Sequence, residues 1–180
     1  KKKIIAYDIC PVNLILNQVA NRSNKPYDKD GDLASKGKLI PELEKKLHDI
    51  KFFKSKPPKS LGVEWVKENI LPILETYQKN TINDILNTYT IFIAKQISYA
   101  LKGRKEALVT GGGAFNSFLI QQIKNRTSCD ILIPEENIIN FKEAIIFAFL
   151  GLLRDQKKIN CYASVTGAKQ NHSSGKIFFP

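Results

Sequence analysis

Val109-Thr110-Gly111-Gly112-Gly113-Ala114-Phe115-Asn116 is the stretch whose reading decides the fold. The apolar run 107–110 ends in three consecutive glycines, after which Phe115, Phe118, Leu119 and Ile123 recur at helical spacing. Such a run closed by turn residues reads as a strand, and the spacing that follows reads as an amphipathic helix. Asp130-Ile131-Leu132-Ile133, stopped by Pro134, predicts a second strand, and 141–154 a second, nearly all-apolar helix. Strand, helix, strand, helix implies an α/β fold: a parallel sheet with helices packed on it. The uninterrupted apolar part, 144–153, is well short of the ~20 residues that span a bilayer, so it is expected to be a buried core helix with no membrane partner.

Glycine permits positive φ and lets a ligand approach the backbone closely. A helix start adds unpaired N–H groups and a positive dipole end. Gly111, Gly112, Gly113 and Asn116 therefore form a candidate nucleotide cradle at the C-terminal edge of a parallel sheet, where open α/β folds bind ligands. The alternative is a tight strand-to-helix turn with no ligand. Neither the Gly-Lys-Ser/Thr ending of a phosphate-binding loop nor the G-x-G-x-x-G pattern occurs here.

Upstream, Ile4-Ile5-Ala6-Tyr7 predicts a buried strand ending at Asp8. A carboxylate there can act as a catalytic base facing a cleft, or can cap the helix that starts near Pro11. The segment 21–37 is polar and rich in turn formers. Within it, Asp28-Lys29-Asp30-Gly31-Asp32 lacks the glycine and glutamate positions of a calcium loop and reads as a turn. Leu39, Leu43 and Leu47 predict a short helix, Pro57-Pro58 a break, and 65–77 a helix interrupted at Pro72. Thr81 is placed to cap the clearest helix, with Asp84 three positions on and Gly103 at its end. The tail from Lys157 is expected to be loop. Glu143 either lies on the surface near a helix N-terminus or points into a cleft. His48 and His172 have no partners at ligand spacing and are given no role.

With 180 residues, 43% hydrophobic and 25% charged, the composition is that of one soluble globular domain. The net charge of +11 raises a nucleic-acid partner. The lysines are scattered, however, and the aromatics fall at apolar-periodic positions, so solvated surface is expected and no nucleic acid. Cys10, Cys129 and Cys161 show no C-x-x-C spacing, which argues against a zinc site or disulfide framework and for a reducing cytoplasm. The sequence contains no Met and opens on three lysines, so it is expected to be a piece of a longer polypeptide.

Several motifs, in order, resemble the anhydro-N-acetylmuramic acid kinase family. Tyr7-Asp8-Ile9-Cys10-Pro11-Val12-Asn13 is similar to its Phe-Asp-Thr-Gly-Pro-Gly-Asn motif, and Pro57-Pro58-Lys59-Ser60-Leu61-Gly62-Val63-Glu64 to its Pro-Lys-Ser-Thr-Gly-Arg-Glu motif. Tyr27-Asp28-Lys29-Asp30-Gly31, the triple glycine through Asn116, Glu143-Ala144 and Val165-Thr166-Gly167-Ala168 keep the family's order. Departures are Ile9 for Thr, Cys10 and Val12 for glycines, Leu61 for Thr and Val63 for Arg.

The resemblance implies a ribonuclease-H-like, actin-like ATPase domain. On that reading residues 1–180 are the C-terminal half of a two-domain sugar kinase, with a helical insertion at about 21–62 and the half bearing the phosphate loop not included. It implies ATP and Mg²⁺ as cofactors and an amino sugar as substrate. It further implies Asp8 as general base, the glycines and Asn116 against the nucleotide, Asn13 and Glu143 against the sugar, and a homodimer as an available assembly. A non-catalytic nucleotide- or sugar-binding half-domain of a split kinase is the alternative.

Overall fold

The computed structural model describes residues 4–178, in two compact units. One spans Asp8–Pro134; the other combines the residues through Tyr7 with those from Glu135 onward.

The Asp8–Pro134 unit is built around one helix. Its elements in order are α1 (Asn13–Asn21), a 3₁₀ turn (Lys29–Gly31), α2 (Asp32–Ser35), α3 (Pro41–Asp49), α4 (Lys51–Lys54), α5 (Val63–Asn69), α6 (Leu71–Glu75), α7 (Ile82–Ala100), β1 (Glu106–Leu108), a second 3₁₀ turn (Gly112–Phe115), α8 (Ser117–Lys124) and β2 (Asp130–Leu132). Thr81 caps α7 by accepting the Asp84 N–H at 3.1 Å, satisfying one of the orphan donors of the first turn. Ile85, Leu86, Tyr89, Phe92 and Ile93 of α7 lie fully inside. Around them pack α1, α2, α3 and α8, supplying Ile15, Val19, Leu43, Leu47, Leu119 and Ile123.

Polar side chains of α7 bind the 34–40 segment. Asn87 Nδ2 donates to the Ala34 carbonyl at 2.9 Å, and Thr88 Oγ1 accepts the Ile40 N–H at 2.9 Å. Asp84, expected to complete a capping box, instead turns its carboxylate to the Lys38 N–H at 2.6 Å, which holds that carboxyl below the usual range. Pro72 breaks the 65–77 helix as expected: α5 stops at Asn69 and α6 starts at Leu71.

β1 and β2 pair in parallel, in the register Glu106↔Asp130, Ala107↔Ile131 and Leu108↔Leu132. The crossover between them is α8, which is the predicted strand–helix–strand unit. The strand expected at 4–7 is not formed. Its backbone finds no ladder partner among the described residues, and Ile4 and Ile5 are exposed. A strand is defined by its neighbour, and apolar composition alone does not supply one.

In the other unit, α9 (Glu136–Asp155) is followed by α10 (Ala163–Thr166) and an antiparallel bridge between Cys161 and His172. These occupy the tail expected to be loop. α9 begins five residues before the predicted start, so Glu143 is its eighth residue, exposed, and not at its N-terminus. The expectation of a buried helix fails. Ile139 is its one buried side chain, whereas Phe141, Phe147 and Phe149 are 61, 70 and 57% exposed. Apolar sequence creates the demand for cover; burial requires a packed neighbour. Among the described residues no helix is long and apolar enough to cross a membrane.

Candidate functional site

β1 delivers the chain to the glycine turn, and the Val109 N–H extends the ladder by donating to Leu132 O at 2.9 Å. Gly111 then takes φ 83°, ψ 175°, a combination almost restricted to glycine. Its carbonyl accepts the Ala114 N–H at 2.9 Å, which closes the 3₁₀ turn. Among the described residues the N–H groups of Gly111 and Gly112 make no backbone hydrogen bond beyond the turn. The helix start expected directly after the glycines is displaced by this turn. α8 begins at Ser117, and Asn116 caps it, Oδ1 accepting the Leu119 N–H at 2.9 Å. Asn116 therefore has a structural duty of its own, with its Nδ2 not used by the cap.

Asn13 meets this turn. A Cβ on Gly112 would lie 3.1 Å from Asn13 Nδ2, and one on Gly113 3.9 Å from Asn13 Oδ1. Asn13 and the turn both line a crevice of about 310 Å³, whose lining combines Asn13, Thr110 and the three glycines with apolar side chains of Val12, Ile97, Val109, Leu119, Ile120 and Ile123. An apolar wall with a few convergent polar groups is the usual make-up of a small-molecule site. The chain just before Asn13 is tied to the core. Tyr89, fully buried in α7, donates its hydroxyl to the Pro11 carbonyl at 3.0 Å, and burial pushes the phenol well above its ordinary pKa, so it stays a donor.

Asp8 is neither at a strand end nor a helix cap. Its N–H donates to Lys59 O at 3.0 Å, and its Oδ2 accepts from the Leu61 N–H at 2.6 Å and from Ser60 Oγ at 3.0 Å. It ties the first motif to the 57–64 loop. Oδ1 has no hydrogen-bond partner among the described residues, and Asp8 is exposed. Asp8 is not among the residues lining the crevice. Cys10 packs against the core, and burial pushes its thiol up to about 12, against the opposing influence of Lys59. It stays protonated at neutral pH and serves as a small apolar side chain.

The Asp28 carboxylate accepts the N–H groups of Leu33 and Ala34 at 2.8 and 2.9 Å, forming the turn that was expected. The next residues reach the site: Gly31 is left-handed (φ 74°), and any Cβ on it would collide with Asn116 and Phe118. Two motifs separated by some eighty residues therefore touch through a glycine. Glu143 lies on α9 in the other unit.

Thr110, Val12, Tyr89 and the Ser60–Leu61 pair were given no site role from the sequence, although all but Tyr89 lie in the motifs quoted above. Thr110 alone carried a signal, as a polar residue closing an apolar strand before glycines. The others act through contacts 50 or more residues away along the chain, or, for Val12, as a wall.

The family model described as Anhydro-N-acetylmuramic acid kinase matches residues 1–180. A protein of that name from Francisella tularensis subsp. novicida (strain U112) is 37% identical over 98% of this chain and 49% of its own length. One from Bacillus cereus (strain ZK / E33L) is 33% identical over 99% and 50%, and one from Bacillus thuringiensis subsp. konkukian (strain 97-27) 32% over 99% and 50%. The chain spans about half the length of the curated relatives it matches.

Proposed function

This chain belongs to the anhydro-N-acetylmuramic acid kinase family, and from that membership we propose that it is the C-terminal, actin-like half of an ATP-dependent sugar kinase of cell-wall recycling. The reaction opens the 1,6-anhydro bridge of anhydro-N-acetylmuramic acid with water and phosphorylates the freed 6-oxygen, giving N-acetylmuramate 6-phosphate. The observation that supports it best is the shared crevice of Asn13 and the triple-glycine turn.

In this reading the turn carries the nucleotide. Side-chain-free positions at Gly112 and Gly113 leave the space a Cβ would take, and N–H groups of Gly111 and Gly112 not used beyond the turn among the described residues suit phosphate oxygens. Bound ATP would supply the phosphoryl group. Magnesium would enter with it, held largely by phosphates and water as is usual for that ion. Among the described residues no three His, Cys, Asp or Glu side chains converge on a metal position, so no step is assigned to a metal held by this chain.

Asp8 would take the proton of the water that attacks the anomeric carbon. As the C–O bond of the anhydro bridge breaks, O6 is freed to accept the phosphoryl group. The free Oδ1 is the atom suited to this, since Oδ2 is held by Ser60 and Leu61. A base needs to lie within hydrogen-bond reach of the water, directly or through one more water. Asn13 and Glu143 would contact the sugar. A homodimer and a cytoplasmic setting belong to the same proposal.

A second reading, a half-domain that binds nucleotide without turnover, is favoured by Cys10 and Val12 standing where the family has glycines. The two readings separate in one assay. The chain is incubated with ATP, Mg²⁺ and the anhydro sugar, alone and joined to the N-terminal half of the Francisella relative. Product only in the joined form supports the kinase reading; ATP-dependent stabilisation with no product in either form supports the second.

A further inference from the structure

A basic cavity lies at the far end of α8 from the glycine turn. It measures about 510 Å³, and its lining includes Lys95, Ser98 and Tyr99 from the end of α7, Lys102 from the turn after it, and Arg126 and Ser128 from the loop after α8. The eight residues of α8 put roughly 12 Å of helix between the two places. The lining contains three cations and no carboxylate. Lys95 spends its charge on Glu44. Lys102 has no carboxylate partner among the described residues. The Arg126 guanidinium is fixed in place, its Nη1 donating to Gln122 O at 2.7 Å and to Gln122 Oε1 at 2.6 Å. No other hydrogen bond from it is made among the described residues. The hydroxyls of Tyr99 and Ser128 are likewise without a protein partner there.

Two uncompensated cations around a concavity repel each other and favour an anion. A guanidinium already immobilised loses little further freedom on binding one. The cations also offset the carbonyl ends of α7 and α8, but that duty needs neither a cavity nor free hydroxyls. The volume falls within the ~300–1,000 Å³ of small-molecule sites. We propose that this cavity is an accessory site for the phosphomonoester of a small polar molecule, its phosphate between Lys102 and Arg126 and its body along Tyr99. The site is separate from the glycine crevice and does not depend on the kinase reading.

The test is titration of the ¹⁵N-labelled chain at constant ionic strength with inorganic phosphate, glucose 6-phosphate and glucose. Saturable shifts should appear at 98–103 and 126–128 with phosphate, at lower concentration with glucose 6-phosphate, and not with glucose. Lys102→Glu, on an exposed residue, should weaken both by at least tenfold, as should Arg126→Gln, while Gly112→Val should leave them unchanged. Absence of saturable shifts in a dispersed spectrum, or shifts that both cavity variants leave intact, would overturn the proposal and leave the cations as helix-end charges.

Discussion

The hydroxyl of Tyr89 donates across 3.0 Å to the carbonyl of Pro11, two residues before the amide that faces the glycine turn. One bond thus joins the centre of the core to the wall of the crevice. Tyr89→Phe keeps the ring and strands a part-buried acceptor, a change that costs ~1 kcal/mol. Urea denaturation should show that loss, together with weaker nucleotide binding as Asn13 loses its support. Unaltered stability would mean that water replaces the phenol.

Gly112→Val places branched carbon against Asn13 Nδ2, where even a Cβ would be 3.1 Å away. Nucleotide affinity should fall at least tenfold, with the circular dichroism spectrum retained. Calorimetric titration with ATP checks this, and an unchanged Kd in a folded variant removes the turn from the nucleotide site.

Asp8→Asn retains an oxygen to accept the Leu61 N–H but cannot take up a proton. In the joined two-half enzyme, turnover should drop by about a hundredfold or more, the scale of a lost general base, with ATP affinity preserved. Retained turnover would refute the assignment.

Asp28→Ala removes the acceptor for two N–H groups at the start of α2. The expected loss is ~1–2 kcal/mol, that of a helix cap, and Asp28→Asn should recover part of it. Thermal unfolding of the pair distinguishes lost capping from lost volume.

His48 stands edge-on to Phe92 at 5.1 Å, with Nδ1 3.1 Å from Gln96 Nε2. Burial lowers its pKa, with Glu44 opposing and Lys95 assisting. The unfolded chain therefore binds a proton here more readily than the native one, so this residue contributes stability above its ordinary titration, near pH ~6.5. That contribution is lost as pH falls through the lower native value. Between pH ~7.5 and ~5 the wild type should lose more stability than His48→Phe. Parallel profiles would exclude a role for this imidazole.

What could be read from the sequence was what depends on near neighbours. The Thr81 cap, the interruption at Pro72, the glycine turn and its flanking strands each follow from residues within a few positions of one another. Apart from the starts of α8 and α9, which were misjudged locally, the failures needed a distant partner. Residues 4–7 have strand composition but no ladder neighbour among the described residues. α9 is apolar, yet nothing in its composition says what it packs on. Asp8 takes its partners from Ser60 and Leu61, and Asp84 turns to Lys38, contacts 46 to 53 residues away that no local pattern encodes. The crevice was half legible: the glycines announced it, and Asn13 entered only through the motif order.

The position of α7, enclosed by α1, α2, α3 and α8, sets an order of opening. Solvent deuterium can reach the amides around Tyr89 and Phe92 only after those four neighbours have parted, so they should exchange at the rate of whole-molecule unfolding. The three-residue ladder of β1 and β2 can open by a far smaller excursion. Ligand could therefore come and go at the glycine turn through local openings that leave the central helix intact.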